Sequence, residues 1–300
     1  MPIWYGHAMH EPATEYLPTE IRKRTFPGLL REMADPPRTL FIRGSLPSPE
    51  YRLLCVVGSR KYYSYSQTVC QNLISSLAGY PIAIVSGLAL GIDSVAHEEA
   101  LTAGLPTIAL PGSGIDDSVL YPRMHVGLAQ RILKAGGALI SELPPKERAT
   151  VWSFPRRNRL MAGMCHATLI IEAHEKSGTL ITARLAMEYN RDVLIVPGPI
   201  TSPHHAGSNA LLREGAQAVT CAEDILQALG IPPHTGVSKK TFDDVLPDEH
   251  VVLQYLTEPR TIDEIAHTTH TPIAHINVII STLEIKGYIT TRLGKIERTV

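Results

Sequence analysis

The sequence of 300 residues has no excess of charge of either sign, because 28 lysines and arginines nearly balance 29 aspartates and glutamates. A formal net charge of −1 excludes a globally basic nucleic-acid-binding protein, so an anionic ligand would need a local basic patch. No apolar run approaches the roughly 20 residues that a membrane-spanning helix requires. The first residues also lack the charged-then-apolar pattern of a signal segment. We therefore expect a cytoplasmic protein without a membrane partner.

Cysteine pairs at metal-binding or redox spacing are also missing. The four cysteines are scattered and form no CxxC pair: Cys55, Cys70, Cys165 and Cys221. This pattern is typical of reduced thiols in a cytosolic protein. The histidines at 267, 270 and 275 have no thiolates nearby, and His204-His205 lies in a predicted loop, so surface or capping roles are favoured over a zinc site. We expect neither a metal nor a cofactor.

Three common catalytic or nucleotide-binding fingerprints are absent. No GxxxxGK[ST] motif supports a P-loop NTPase, and the turn at 58–63 is GSRKYY instead of the dinucleotide-binding GxGxxG. Ser113 lies in PGSG (111–114), which is not the GxSxG nucleophile elbow. Asp93 could be a catalytic carboxylate, although its position favours a helix N-cap. The sequence thus shows no recognisable catalytic machinery.

Apolar segments alternate with helical segments between residues 53 and 230. The predicted strands are 53–57, 82–86, 107–110, 138–141, 168–173, 193–197 and 218–221, and the predicted helices include 64–77, 93–103, 121–134 and 179–189. Continuous apolar strands separated by helices indicate a mostly parallel sheet that is covered on both faces. We predict an α/β fold with a doubly wound, Rossmann-like domain at 38–230. Residues 1–37 are interpreted as an N-terminal extension with one helical run at 19–33, and 39–43 as the first strand.

Small or charged residues follow most of these strands. In a parallel sheet the carboxyl ends of the strands lie along one edge, which is where such folds bind ligands. Glycine lets the backbone approach a ligand, and serine and arginine supply hydrogen-bond donors. Any single glycine turn is better explained by ordinary turn chemistry than by ligand binding. Together they predict a polyanion groove that includes Gly58, Ser59, Arg60, Ser86, Gly87, Ser113 and Gly114.

The segment 152–182 combines an aromatic residue, a basic cluster and a helix start. Phe154 precedes the cluster Arg156, Arg157, Asn158 and Arg159, and residues 144–159 contain five basic residues but a single acid. The turn Ser177-Gly178-Thr179 starts a helix whose free backbone N–H groups could receive a phosphate. A ligand with bases and phosphates would match this combination of an aromatic ring, guanidinium groups and an anion-binding helix start. An amphipathic helix with solvated arginines is the alternative.

A second, smaller domain is predicted at 247–300, after a linker at 231–246. A helix at 248–256, a capping box formed by Thr261 and Glu264, a third helix from Pro272 to about Lys286 and a hairpin at 287–296 are typical of a winged helix-turn-helix. Five basic residues face seven acidic ones in this domain. This balance argues against duplex binding, so a protein-interaction or packing role is at least as plausible.

These motifs together resemble the DNA-processing protein A family (DprA, also called Smf). The resemblance is carried, in collinear order over residues 36–230, by VVGSR (56–60), SGLALGIDSVAHEEAL (86–101), LPGSGID (110–116), YP (121–122), SELPP (141–145), FPRRNRLMAG (154–163), IEAHEKSGTLITA (171–183), VPGP (196–199) and GSNALLREGA (207–216). The C-terminal region resembles the winged-helix domain that many members carry.

The resemblance implies a Rossmann-like domain that binds single-stranded DNA without sequence preference. Family members protect incoming DNA in natural transformation, load a RecA-type recombinase and act as homodimers, and they are not established enzymes. Carried over by motif, the implied DNA-binding residues are Gly58, Ser59, Arg60, Phe154, Arg157, Asn158, Arg159, Lys176, Ser177, Gly178, Thr179, Gly207, Ser208 and Asn209. Val151 is a departure, because some members have a DNA-contacting lysine there.

Two rival functions remain open at this stage. Nucleoside-monophosphate phosphoribohydrolases share the superfold and carry a PGGxGT turn followed by a catalytic glutamate, but here KSGTLIT (176–182) has Ile181 and Thr182 where the acids would be. Without a general acid or base at that point, hydrolysis has no evident machinery. The other rival makes the winged helix a regulator that binds duplex DNA.

Overall fold

The structure is a computed structural model that describes residues 17–23, 26–233, 245–292 and 294–298. The chain divides into two compact units, Met1–Pro233 and His234–Val300. The linker predicted at 231–246 falls mostly on residues 234–244, outside the described residues. Its limits, and those of the domains on either side, stay predictions.

The larger unit contains one sheet of nine described strands. They are β1 (Thr19–Arg22), β2 (Thr39–Gly44), β3 (Arg52–Val57), β4 (Ile82–Ser86), β5 (Thr107–Ala109), β6 (Ala138–Ser141), β7 (Ala167–Ile170), β8 (Asp192–Ile195) and β9 (Gln217–Ala218). Their order in the sheet is β1-β2-β6-β5-β4-β3-β7-β8-β9. Strands β3 to β9 are parallel, while β2 runs antiparallel to β6, and β1 antiparallel to β2. The predicted mostly parallel, doubly wound sheet is confirmed.

Helices cover both faces of this sheet. They are α1 (Gly28–Glu32), α2 (Ser64–Ser75), α3 (Ile92–Thr102), α4 (Val126–Lys134), α5 (Ser153–Met164), α6 (Thr179–Glu188), α7 (Ala206–Arg213) and α8 (Ala222–Ala228). Alternate residues of β3 point to opposite faces, so Cys55 packs into one apolar core and Leu54 into another. The helix predicted at 121–134 begins later, since Pro122 is extended and a 3-10 turn, Arg123–His125, precedes α4.

The N-terminal region differs from the prediction of a helical run at 19–33. Residues 19–22 form β1, which adds an antiparallel edge strand to β2. Among the described residues of this run, α-helix is limited to the five residues of α1, which follow Pro27 at the N-cap. Phe26, Leu30 and Met33 are buried in the core that also contains residues of α5. The described part of this region is therefore built into the main sheet and its core.

The smaller unit has three helices and a hairpin among its described residues. These are α9 (Pro247–Tyr255), α10 (Ile262–Thr269), α11 (Ile273–Ile285) and the antiparallel strands β10 (Ile289–Arg292) and β11 (Lys295–Arg298). At the start of α10 the Glu264 N–H donates to Thr261 Oγ1 at 3.3 Å, and the Thr261 N–H donates to the Glu264 carboxylate at 2.8 Å. The predicted capping box and winged helix-turn-helix are confirmed.

Within the residues that the structure describes, no helix is both long and apolar enough to span a lipid bilayer. The same residues contain no group of three or more histidine, cysteine or acidic side chains placed to hold a metal ion. The thiols of Cys55, Cys70 and Cys165 are free and buried, whereas Cys221 is exposed.

Candidate nucleic-acid interface

The strand order reverses between β3 and β7. The chain passes from β3 through β4 and β5 to β6 on one side, and from β7 through β8 to β9 on the other. Parallel α/β sheets bind ligands in the crevice at such a switch point, beyond the carboxyl ends of the strands. A cleft of about 560 Å³ opens here, lined by residues that follow β3, by the first half of α5 and by the start of α6.

The turn after β3 supplies exposed cations. Arg60 and Lys61 both line the cleft, and neither forms an ion pair with any residue that the structure describes. Ser59, by contrast, is buried, and its hydroxyl accepts from the Lys61 N–H at 3.1 Å and donates to the Lys61 carbonyl at 2.5 Å. Ser59 therefore stabilises the turn that presents the two cations to the cleft.

Phe154 forms one wall of the cleft and is held from three directions. The Arg60 guanidinium lies 5.7 Å from its ring centroid, and the Tyr121 ring meets it edge-on at 5.8 Å. Gly112 lies directly behind the ring, since a Cβ atom there would come within 2.4 Å of Phe154 Cε1. The arrangement fixes an aromatic face beside a cation, as a site for a base and its phosphate requires.

Arg157 also borders the cleft, but its guanidinium is buried and engaged inside the protein. It donates to the carbonyls of Gly87 and Leu110, and its Nε donates to Asn158 Oδ1 at 3.0 Å. Burial lowers the pKa of Arg157, and the nearby Asp93 carboxylate opposes that shift. Arg157 thus ties the ends of β4 and β5 to α5.

Asp93 lies in the first turn of α3, and the expectation that it caps this helix is wrong. Gly91 is the N-cap, and Asp93 Oδ2 accepts from the Gly87 N–H at 3.1 Å. Burial raises the pKa of the Asp93 carboxyl, and Arg157 is the strongest influence in the other direction. The carboxylate therefore holds the turn at Gly87, where a Cβ atom would clash with both Asp93 and Arg157.

The other two arginines of the predicted cluster face away from the cleft. Arg159 Nη2 donates to both carboxylate oxygens of Glu142 at 2.7 Å, and Arg159 Nη1 lies 3.5 Å from Asp35. Arg156 is 61% exposed and lies 3.3 Å from the same glutamate. Val151 is exposed in the turn before α5 and does not line the cleft either. The alternative of solvated arginines therefore applies to Arg156 alone.

The start of α6 closes the cleft on the β7 side. Ser177, Gly178 and Thr179 all line it, and Lys176 is exposed immediately before them. The Thr179 hydroxyl donates to the Gly58 carbonyl at 3.1 Å, which joins the two turns on either side of the switch point. Gly58 itself packs against Ile92, with a hypothetical Cβ only 2.7 Å away from that side chain. The positive end of the α6 dipole is thus directed at the cleft.

Several predicted site residues lie outside the cleft lining and hold its loops. Ser86 Oγ donates to the Val56 carbonyl at 2.7 Å, and Gly87 lies in a small depression on the other side of Phe154. Ser113 is buried and donates to the Gly114 carbonyl at 2.9 Å. A Cβ atom on Gly114 would come within 2.3 Å of two backbone carbonyl oxygens.

The turn at the start of α7 has a similar supporting role. The Ser208 N–H donates to the Ala173 carbonyl at 3.0 Å, and a Cβ atom on Gly207 would come within 2.6 Å of the His174 carbonyl oxygen. Asn209 accepts from the Gly198 N–H at 3.2 Å and donates to its carbonyl at 3.0 Å. These residues hold the segments after β7 and β8 together behind the cleft.

Among the residues that the sequence did not assign to the site, Lys61, His174 and His204 bring polar or charged side chains to the cleft, and Tyr121 lines the depression behind Phe154. Lys61 could have been found as the neighbour of Arg60, and Tyr121 as part of the YP motif. His204 was interpreted as a surface histidine, because the sequence does not show that the loop between β8 and α7 passes over the end of β7.

The fold and the cleft together define a class of protein: a doubly wound α/β protein whose cleft at the switch point is lined by cations and an aromatic ring. The model of the family described as DNA recombination-mediator protein A matches residues 19–230, and that of the DprA winged helix domain matches residues 243–295. The chain belongs to this DprA/Smf family of DNA-processing proteins, which confirms the resemblance found in the sequence.

Named relatives and solved structures agree with this assignment. The chain is 34% identical to Protein Smf of Escherichia coli K12, over 95% of the chain and 78% of that relative. It is similar in structure to DNA processing protein A of Streptococcus pneumoniae, with a TM-score of 0.66 and 35% identity over 71% of this chain and 74% of that one. The corresponding protein of Helicobacter pylori, whose structure describes a single-stranded DNA binding mode, gives a TM-score of 0.62 and 28% identity over 71% and 96%.

Proposed function

We propose that the chain binds single-stranded DNA without sequence preference in the cleft between the turn after β3 and the start of α6. The observation that carries the proposal is the Arg60–Phe154 pair, a guanidinium 5.7 Å from the centroid of a ring that lines the cleft. Proteins that bind single strands without sequence preference combine cations along the sugar-phosphate backbone with aromatic side chains on which bases stack. Every base can stack in this way.

The remaining contacts of the cleft suit the phosphates of one or two nucleotides. Lys61 lines the cleft on one side, and Lys176 is exposed next to the turn on the other. The first N–H groups of α6 already donate to acceptors within that turn, so the helix contributes the positive end of its dipole. A volume of about 560 Å³ is in the range of a small-ligand pocket, which accommodates a nucleotide unit. Bases in a duplex are stacked on one another and are not available to Phe154, so single strands are preferred.

The test is a titration of oligo-dT with the Arg60→Ala variant at moderate salt. We expect about a tenfold or greater loss of affinity, since a charge-assisted phosphate contact contributes roughly 1.5–3 kcal/mol. Lys134→Ala is the matched control, because Lys134 is an exposed cation at the far end of α4 and its removal changes the net charge equally. Equal affinity of the two variants would defeat the assignment.

Within this function, we propose the roles typical of the family for this chain: protection of incoming DNA in natural transformation and loading of a RecA-type recombinase, as a cytoplasmic homodimer. Family membership supports these roles. Nuclease digestion of the DNA complex, recombinase filament formation on that complex and the mass of the free protein test the three parts separately. A monomer that leaves DNA fully digestible would contradict the proposal.

We also propose that the chain acts by binding and not by catalysis. In the first turn of α6, Ile181 and Thr182 occupy the places where a phosphoribohydrolase has acidic groups, and both line the cleft. The buried Asp93 carboxylate is already engaged by the Gly87 N–H. Incubation with AMP should therefore release no adenine, and release of adenine that stops in Asp93→Asn would establish the enzymatic alternative.

A further inference from the structure

His204 lies in the loop between β8 and α7 and lines the cleft. Its ring packs edge-on against Tyr63, with the ring centroids 4.3 Å apart, and its Nδ1 lies 3.4 Å from Glu172 Oε1. The side chain is 34% exposed, so one edge of the ring reaches solvent while the other is fixed by these contacts. No motif of the sequence assigns a function to this residue.

Glu172 follows β7 and is completely buried behind the cleft. Its Oε2 accepts from Ser66 Oγ at 2.5 Å and from the Tyr63 N–H at 3.4 Å. A buried carboxylate so close to an anion-binding cleft repels a phosphate, because its charge is poorly screened by solvent. A positive charge next to the carboxylate offsets this repulsion, and His204 is in place to supply it because it contacts Glu172 and also lines the cleft.

The contact to Glu172 determines what the other ring nitrogen can do. With Nδ1 turned to a carboxylate, the proton of a neutral ring resides on Nδ1, and Nε2 carries a lone pair that cannot bind a phosphate oxygen. When the ring is protonated, both nitrogens are donors, and Nε2–H can bind the phosphate while Nδ1–H keeps its partner.

We propose that His204 contacts a phosphate of the bound strand as a cation, with Glu172 as its buried counter-ion. This inference rests on the proposed function, since the phosphate belongs to the DNA. The charged and titratable groups around it pull in opposite directions. A positive charge on His204 is disfavoured by the cleft residues Arg60, Lys61 and His174 and by the adjacent His205. It is favoured by the carboxylate of Glu172. A bound phosphate adds to the effect of Glu172, so DNA binding and protonation of His204 favour each other.

The test compares oligo-dT affinity at about pH 8 and about pH 5.5, at constant ionic strength, for the wild type and His204→Gln. We expect the wild-type affinity to rise about tenfold more than that of the variant as the pH falls, as one charge-assisted hydrogen bond is gained. His174→Gln is the matched control, because His174 is the other histidine of the cleft, and it should keep the wild-type pH dependence.

His204→Lys is the control for a loss of affinity caused by misfolding, since it places a permanent positive charge at position 204. It should bind oligo-dT more tightly than the wild type at about pH 8 and should lose most of the pH dependence. Parallel pH profiles for the wild type and His204→Gln would overturn the inference while leaving the proposed function intact. No wild-type binding at either pH would instead defeat the proposed function itself.

Discussion

At the scale of single residues, the arginines predicted to bind DNA differ in their environments. Arg60 is exposed and faces the ring of Phe154, whereas Arg157 is buried and bonded to two backbone carbonyls. Arg159 is committed to Glu142 and to Asp35. We therefore attribute ligand binding to Arg60 and attribute the shape of the cleft to Arg157.

This division predicts opposite phenotypes for two alanine variants. Arg157→Ala should lower the free energy of unfolding by about 2–6 kcal/mol, because it leaves two buried backbone carbonyls without their donor. Arg60→Ala should change it by less than about 1 kcal/mol, as expected for an exposed side chain. Urea unfolding measures both values. A stable Arg157→Ala protein would show that the buried cluster does not support the fold.

Phe154→Ala should weaken binding of short oligonucleotides by about 1–3 kcal/mol, the usual value of one base stacked on an aromatic ring. Longer strands should lose less, since other contacts compensate for one lost base. Fluorescence anisotropy with oligo-dT and with an abasic strand of equal length provides the measurement. If the abasic strand bound the wild-type protein as well as oligo-dT, the ring would not be a base contact.

At the scale of elements, the most informative part of the fold is the pair β1 and α1. β1 adds an edge strand to β2, and α1 places Leu30 in the core shared with α5. The sequence predicts one helical run at 19–33, where the helical pattern is only fair. Pairing with β2 and burial against α5 are long-range interactions that override such a weak local preference.

Leu30→Ala should therefore destabilise the larger unit by about 2–5 kcal/mol, as is usual for a fully buried leucine. Leu17→Ala is the matched control, since Leu17 is 69% exposed just before β1 and its truncation should change stability by less than about 0.5 kcal/mol. Thermal or chemical unfolding of both variants gives the comparison. Equal, small effects would mean that α1 is not part of the folded core.

At the scale of the whole molecule, a net charge of −1 means that any affinity for DNA comes from a local group of cations. Three exposed cations near the cleft, Arg60, Lys61 and Lys176, would give a slope of log affinity against log salt of about −2 for single strands. Strongly basic binders give much steeper slopes. A titration of oligo-dT at several salt concentrations measures this slope.

The winged helix should contribute little to single-strand affinity. The larger unit has its own cores and contains the whole cleft, so a protein that ends at residue 233 should fold and keep its oligo-dT affinity within about threefold. Comparing duplex and single-strand binding of the full chain and the truncated protein tests this expectation. A selective loss of duplex binding on truncation would support the rival view of the winged helix as a duplex-DNA regulator.

The sequence by itself determined the class of fold, the winged helix and the two turns that border the cleft. Strand and helix periods are local, and the turns after β3 and β7 must meet at one edge of a parallel sheet. Only the tertiary structure decided which side chains reach the cleft. Whether an arginine is exposed or buried depends on partners distant in sequence, as Asp93 and Leu110 are for Arg157. The position of His204 against Glu172 likewise depends on how two separate loops pack, which no local pattern encodes.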